Sequence, residues 1–162
     1  MNQPYRARRI LVPVDGSEFS RYAAEHAVRL ARTHGSELIF LHVVDSQVVD
    51  ALAQREGDGE LGVRDRLFEK GRVYLQDVAR LAEESHVPHR EEVDEGDPCG
   101  VICDTAARAD VDLIVMGRIG RRGARGILVG SITRRVIECC DRAVLVVPGP
   151  PKLREAATSS QN

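Results

Sequence analysis

Short, continuous apolar runs separated by helix-period stretches leave this chain few architectures. Arg9-Ile10-Leu11-Val12-Pro13-Val14-Asp15, Glu37 to Val44, Asp112 to Met116 and Ala143 to Val147 are apolar without alternation. That is the pattern of strands covered on both faces. Pro88 to Glu95 is more polar and reads as a strand at a sheet edge. Between the strands, Phe19, Tyr22, Ala23, His26, Ala27, Leu30 and Ala31 recur at helical spacing, as do Leu67, Gly71, Tyr74, Leu75, Val78, Leu81 and Ala82. Val101, Ile102, Thr105, Ala106 and Ala109 give a third helix its inner face, and Ile132, Val136, Ile137 and Cys140 a fourth. Val48 to Gln54 fits a short additional helix, followed by a turn at Gly57-Asp58-Gly59.

Gly16-Ser17 ends the first strand and offers a cap, Gly35 closes the first helix, and Asp97-Pro98 opens the third. Strands alternating with helices specify an α/β fold, a Rossmann-like three-layer sandwich with helices on both faces of a parallel sheet. Right-handed crossovers favour the five-strand order 3-2-1-4-5. In that order the direction of winding reverses between strands one and four, and ligands bind at the carboxyl ends beside such a reversal. Those ends are Asp15-Gly16-Ser17 and Met116-Gly117.

A glycine-rich loop leaves the second of these ends. Gly117, Gly120, Gly130 and Ser131 follow the spacing G-x2-G-x9-G-[S/T], with a strand before and a helix after. Glycine lets backbone approach a ligand closely. The amides at a helix start, with the helix dipole behind them, favour an anion. The Ser131 hydroxyl can donate to a phosphate oxygen. Charge-assisted bonds of this type contribute about 1.5–3 kcal/mol each, so three or four would hold a di- or triphosphate. A turn that only lets helix and strand pack closely would use the same glycines.

On these residues the chain resembles the universal stress protein family, in its nucleotide-binding branch. The resemblance rests on Val12-Pro13-Val14-Asp15-Gly16-Ser17, Gly96-Asp97-Pro98, Asp112-Leu113-Ile114-Val115-Met116-Gly117, Gly130-Ser131 and Val144-Leu145-Val146-Val147. It implies a nucleotide-binding domain over 9–148, an N-terminal extension over 1–8 and a flexible tail over 149–162. It implies ATP, or AMP or ADP, with Mg2+, as the ligand. Gly117, Gly120, Gly130 and Ser131 would take the phosphates, Asp15 the adenosine, Pro13, Val14 and Val43 the base, and Met116 and Ile132 the pocket wall. The resemblance also implies a homodimer through Val144, Leu145, Val146 and Val147. Asp15, just past a strand end, can equally accept from ribose hydroxyls, help hold magnesium or cap the next helix. Arg118, a further candidate nucleotide-binding residue, stands where a small polar residue is common in the family, and Arg121, Arg122 and Arg125 either strengthen triphosphate binding beside the phosphate path or point to solvent.

Composition narrows the function. Lys+Arg is 23 and Asp+Glu is 25, a formal charge of −2, without the basic excess of a general nucleic-acid binder. No apolar run reaches the ~18 residues that span a bilayer, and Met1 to Arg6 lacks a secretion signal's apolar core, so the expectation is a cytoplasmic protein without a membrane partner. Four cysteines are too few for a disulfide scaffold; Cys99, Cys103, Cys139 and Cys140 lack zinc-ligand spacing and read as small residues on helix faces. GxxxxGK[ST], GxSxG and HExxH are all missing, and the glycine loop holds no lysine to stabilise phosphoryl transfer. His42 reads as a packing residue, and Ser17 has no histidine to activate it. No catalytic residue and no protein metal site is expected. The reading is a nucleotide-dependent regulatory switch with an unidentified protein partner. The alternatives are slow ATP hydrolysis at the same site, or an interaction dimer that binds no nucleotide.

Overall fold

Strands that are apolar throughout need cover on both sides, and the computed structural model, which describes residues 6–56, 59–121 and 128–150, supplies it. In chain order the elements are β1 (Arg9–Pro13), α1 (Glu18–His34), β2 (Glu37–Asp45), α2 (Ser46–Glu56), α3 (Gly59–Glu84), β3 (His89–Gly96), α4 (Pro98–Arg108), β4 (Leu113–Gly117), α5 (Ser131–Cys139) and β5 (Ala143–Val147). The sheet is parallel throughout, in the order β3-β2-β1-β4-β5. The expected α/β fold and strand order are therefore present. The short helix expected within 48–54 extends over all of α2, and β3 takes the edge that its charged sequence suits.

Side-chain alternation along the strands divides the core into two layers. Ile10, Val12 and Val14 join Leu38, Phe40 and Val115 beneath α1 and α3. Leu11, Ile39, Leu41, Ile114 and Met116 face α4 and α5 on the other side. Burying one such side chain is worth about 1.5–3 kcal/mol, so these central strands dominate stability. The inner stripe of α1 is Ser20, Ala23, Ala24, Ala27, Val28 and Ala31. Those small residues bring the helix backbone close to the sheet, and Gly117 lies directly against it. A Cβ there would sit 2.9 Å from the carbonyl carbon and oxygen of Phe19.

Helix ends follow local chemistry. Ser17 caps α1 by accepting from the Ser20 amide at 3.1 Å, and Gly35 closes it in the left-handed conformation at φ 67°. Asp97 caps α4 by accepting from the Gly100 amide at 2.9 Å, with Pro98 in the first turn.

Two expectations fail on the α4/α5 side. Ile132 and Ile137 do not face inward: they are 39% and 49% exposed, and the buried residues of α5 are Thr133 and Val136. The Thr133 hydroxyl donates to the Gly117 carbonyl at 3.0 Å, and that bond fixes which side of the helix meets the sheet. The cysteines are not all free either, because Cys103 and Cys140 form a disulfide across a sequence separation of 37. Spacing could not show this, since only the packing of α4 beside α5 brings the two residues together. Residues 122–127, which include Arg122 and Arg125, the Gly57-Asp58 part of the expected turn, and 151–162 of the expected tail lie outside the described residues.

Candidate nucleotide site

β1 and β4 are hydrogen-bonded neighbours, with Ile10 opposite Leu113 and Leu11 opposite Ile114, so the winding reverses where the sequence places it. Past their carboxyl ends the chain from β1 turns at Gly16, where φ is +78°, and enters α1. The chain from β4 stays tied to the sheet, its Arg118 amide donating to the Val147 carbonyl at 2.9 Å. It returns at Gly130, whose amide donates to the Arg118 carbonyl at 2.8 Å. A hairpin-like neck thus sets the start of α5 beside the end of β4.

Asp15 holds this neck to β1. One carboxylate oxygen accepts from the Ser17 amide at 3.0 Å and the other from the Arg121 amide at 2.8 Å. Gly120 leaves room for this carboxylate, since a Cβ there would lie 2.6 Å from Asp15 Oδ2 and force it to shift. The helix-capping alternative for Asp15 is thereby refined: Ser17 caps α1, and Asp15 braces the turn before it and the glycine loop across from it. Each oxygen retains acceptor capacity after one bond.

The α5 end has the features of an anion cradle. Gly130 occupies the cap position with φ −64° and ψ 152° and offers no side-chain cap to the first-turn amides after it. Ser131 follows, exposed at the first helical position. A Cβ on Gly130 would come within 3.4 Å of the Arg118 carbonyl and of Ile119 Cα. Arg118 Nε is buried without a hydrogen-bond partner among the described residues. An unsatisfied buried donor on a cationic group is costly, and a phosphate oxygen is the chemistry that would satisfy it.

The expected base-binding residues separate by layer. Val43 and Met116 pack into the α4/α5 side of the core, and alternation puts Pro13 on that face with Leu11. Val14 is buried in the opposite layer, so its side chain does not join the other three. Its carbonyl is engaged as well, 2.7 Å from His42 Nδ1. Ile132, at the start of α5, is exposed.

Sequence reasoning passed over a second shelf, on the α3 side. His42 and Tyr74 meet edge to face with centroids 5.5 Å apart. Arg121 donates to the Tyr74 hydroxyl at 2.9 Å and lies over the ring, 5.6 Å from its centroid. Burial pushes the His42 imidazole below its ordinary value of 6.5; the Val14 carbonyl and Asp15 oppose the shift and Arg121 adds to it. His42 is thus a neutral packing group, as its position in a strand suggested. The missed signal was Gly71, a glycine inside a strong helical pattern, which usually marks a close approach. A Cβ there would stand 3.0 Å from His42 Cγ. A separate surface depression among Arg64, Asp65, Phe68, Glu69 and Arg72 lies along α3, away from the reversal.

Comparison with known proteins agrees with this architecture. The model of the universal stress protein family matches residues 6–148. Universal stress protein MJ0531 of Methanocaldococcus jannaschii is 39% identical over 145 residues, covering 90% of this chain and 84% of that protein. The solved structure of MJ0577, from the same organism, superposes with a TM-score of 0.77 at 28% identity, over 86% of this chain and 94% of that one. A universal stress protein solved in complex with cAMP has the same fold, with a TM-score of 0.64 at 21% identity over 88% of this chain and 98% of its own.

Proposed function

Because the chain belongs to the universal stress protein family, we propose that it binds an adenine nucleotide, ATP foremost, between the carboxyl ends of β1 and β4. The observation that carries the reading is the α5 entrance: an N-terminus whose cap residue, Gly130, has no side chain to close it and is tied by its amide to the Arg118 carbonyl. Gly130 and Ser131 would receive the phosphates, Pro13, Val43 and Met116 would face the base, and Asp15 would meet the ribose through its remaining acceptor capacity. That a protein of this fold holds cAMP supports an adenine nucleotide as something the fold can accommodate. Mg2+ would arrive on the phosphates, with Asp15 just past the end of β1 as a carboxylate that could help hold it. We read the domain as 9–148, preceded by an extension over 1–8 and followed by a tail.

The way the site is built supports a regulatory role. Asp15, Arg118 and Gly130 tie the glycine loop to two strands and a helix, so ligand contacts there bias the loop's position. A homodimer through β5 would carry that bias to a second copy. β5 pairs with β4 on one edge only, and Leu145 on it is 39% exposed. Among the described residues no helix is long and apolar enough to cross a membrane.

Acid extraction of the purified protein followed by chromatography should release an adenine nucleotide, and titration with a fluorescent ATP analogue should saturate at one site per chain. Gly130→Val should weaken that binding at least tenfold, about 1.4 kcal/mol, while leaving the dimer intact. Unchanged affinity would remove the phosphate role from the α5 entrance. Phosphate release no faster than in Asp15→Ala would leave binding, not hydrolysis, as the activity.

A further inference from the structure

Cysteines from two distant stretches meet in one seam. Cys99 and Cys103, one turn apart on α4, face Cys139 and Cys140 at the end of α5. Cys103 and Cys140 are bonded, with their Cα atoms 5.3 Å apart. The other two are free: Cys99 is buried and Cys139 is exposed. The bonded pair is only partly buried at the margin of the core, within reach of a small reagent.

The bridge has unusual leverage because α5 has few other anchors. Only Thr133 and Val136 of its nine residues are buried. At the start of α4 it is also tied by a two-pronged ion pair in which Arg135 donates to both oxygens of the cap residue Asp97 at 2.9 Å, and both partners are about half exposed. An element with so little burial opens locally without the rest of the fold. A disulfide in a reducing compartment is more often a redox sensor than a permanent staple.

We propose that the α4/α5 seam is a thiol–disulfide redox site: a small dithiol opens Cys103–Cys140 and thereby loosens the helix whose first residues form the candidate phosphate cradle. In the reaction one thiolate of the reductant attacks a cysteine sulfur, the Cys103–Cys140 bond breaks, and the other cysteine leaves as thiolate. The second thiolate of the reductant then closes its own disulfide and frees the first cysteine. Two electrons and two protons pass from the dithiol to Cys103 and Cys140. The effect on α5 stands by itself; its consequence for ligand affinity rests on the nucleotide reading above.

The test uses the full chain purified in air without reductant. Thiol titration in denaturant should find the two free cysteines, four after treatment with dithiothreitol and its removal, and two again after reoxidation. Hydrogen exchange of the 131–139 amides should accelerate about tenfold on reduction while β1 and β2 amides stay unchanged. Cys103→Ser should show the fast pattern from the start and no response to dithiothreitol. Four thiols before reduction, an α5 rate unchanged by reduction, or equal acceleration throughout the sheet would each overturn the proposal. Failure of an ATP analogue to bind in either redox state would instead defeat the nucleotide reading, and the exchange comparison would still decide the redox site.

Discussion

Replacing Gly71 with alanine sets two effects of known size against each other. In the interior of a helix such as α3, Gly→Ala is worth about 1 kcal/mol of added stability through backbone entropy. At position 71 the new methyl would stand 3.0 Å from Cγ and 3.1 Å from Nε2 of His42, and closer still to Cδ2. The ring cannot swing aside freely, since Nδ1 is bonded to the Val14 carbonyl at 2.7 Å and the ring meets Tyr74 edge-on. Overpacking costs about 1–3 kcal/mol, and a lost bond to a part-buried carbonyl about 1 kcal/mol more. The net expectation is destabilisation by about 1–3 kcal/mol. With a urea slope of about 2 kcal/mol/M, the unfolding midpoint falls by about 0.5–1.5 M. In a His42→Ala background the obstruction is gone, so the same change should become stabilising and the pair should couple by more than about 1 kcal/mol. A midpoint that rises in Gly71→Ala alone, or effects that simply add, would refute the claim that this glycine exists to admit the imidazole.

Three further outcomes follow. The fold favours neutral His42, so between its lowered folded value and 6.5 the unfolded chain binds more protons; stability is full above 6.5 and falls as pH drops below it. Urea midpoints between pH 5 and 7.5 should show this slope, and His42→Gln should flatten it. Thr133→Val keeps the shape but strips the buried Gly117 carbonyl of its hydroxyl donor; it should cost about 1–3 kcal/mol in thermal or urea unfolding. Asp97→Ala removes the α4 cap together with the Arg135 pair that holds Asp97 below its usual carboxylate range. A loss of about 1–2 kcal/mol is expected at neutral pH; the difference should shrink as pH falls below 3.8, and variant and parent should converge only below the lowered folded value, where the carboxylate is protonated in both states.

What the sequence by itself determined is whatever depends on neighbours along the chain. The unbroken runs in β1, β2 and β4, the Ser17, Gly35 and Asp97-Pro98 punctuation, and the glycine spacing from 117 to 130 are local signals. They sufficed for the strand order and for the reversal beside Asp15, because parallel strands with right-handed crossovers leave little else. What only the tertiary structure decided are contacts between segments that no spacing relates. Phe19 lies against Gly117 and Asp15 against Gly120. His42 sits under Gly71, and Cys103 is bonded to Cys140. Even the inward face of α5 was ambiguous, since Ile132, Val136 and Ile137 make a convincing stripe until the Thr133 hydroxyl finds the Gly117 carbonyl. Periodicity reports that a helix has an apolar side; the bond a buried polar group makes helps set its rotation.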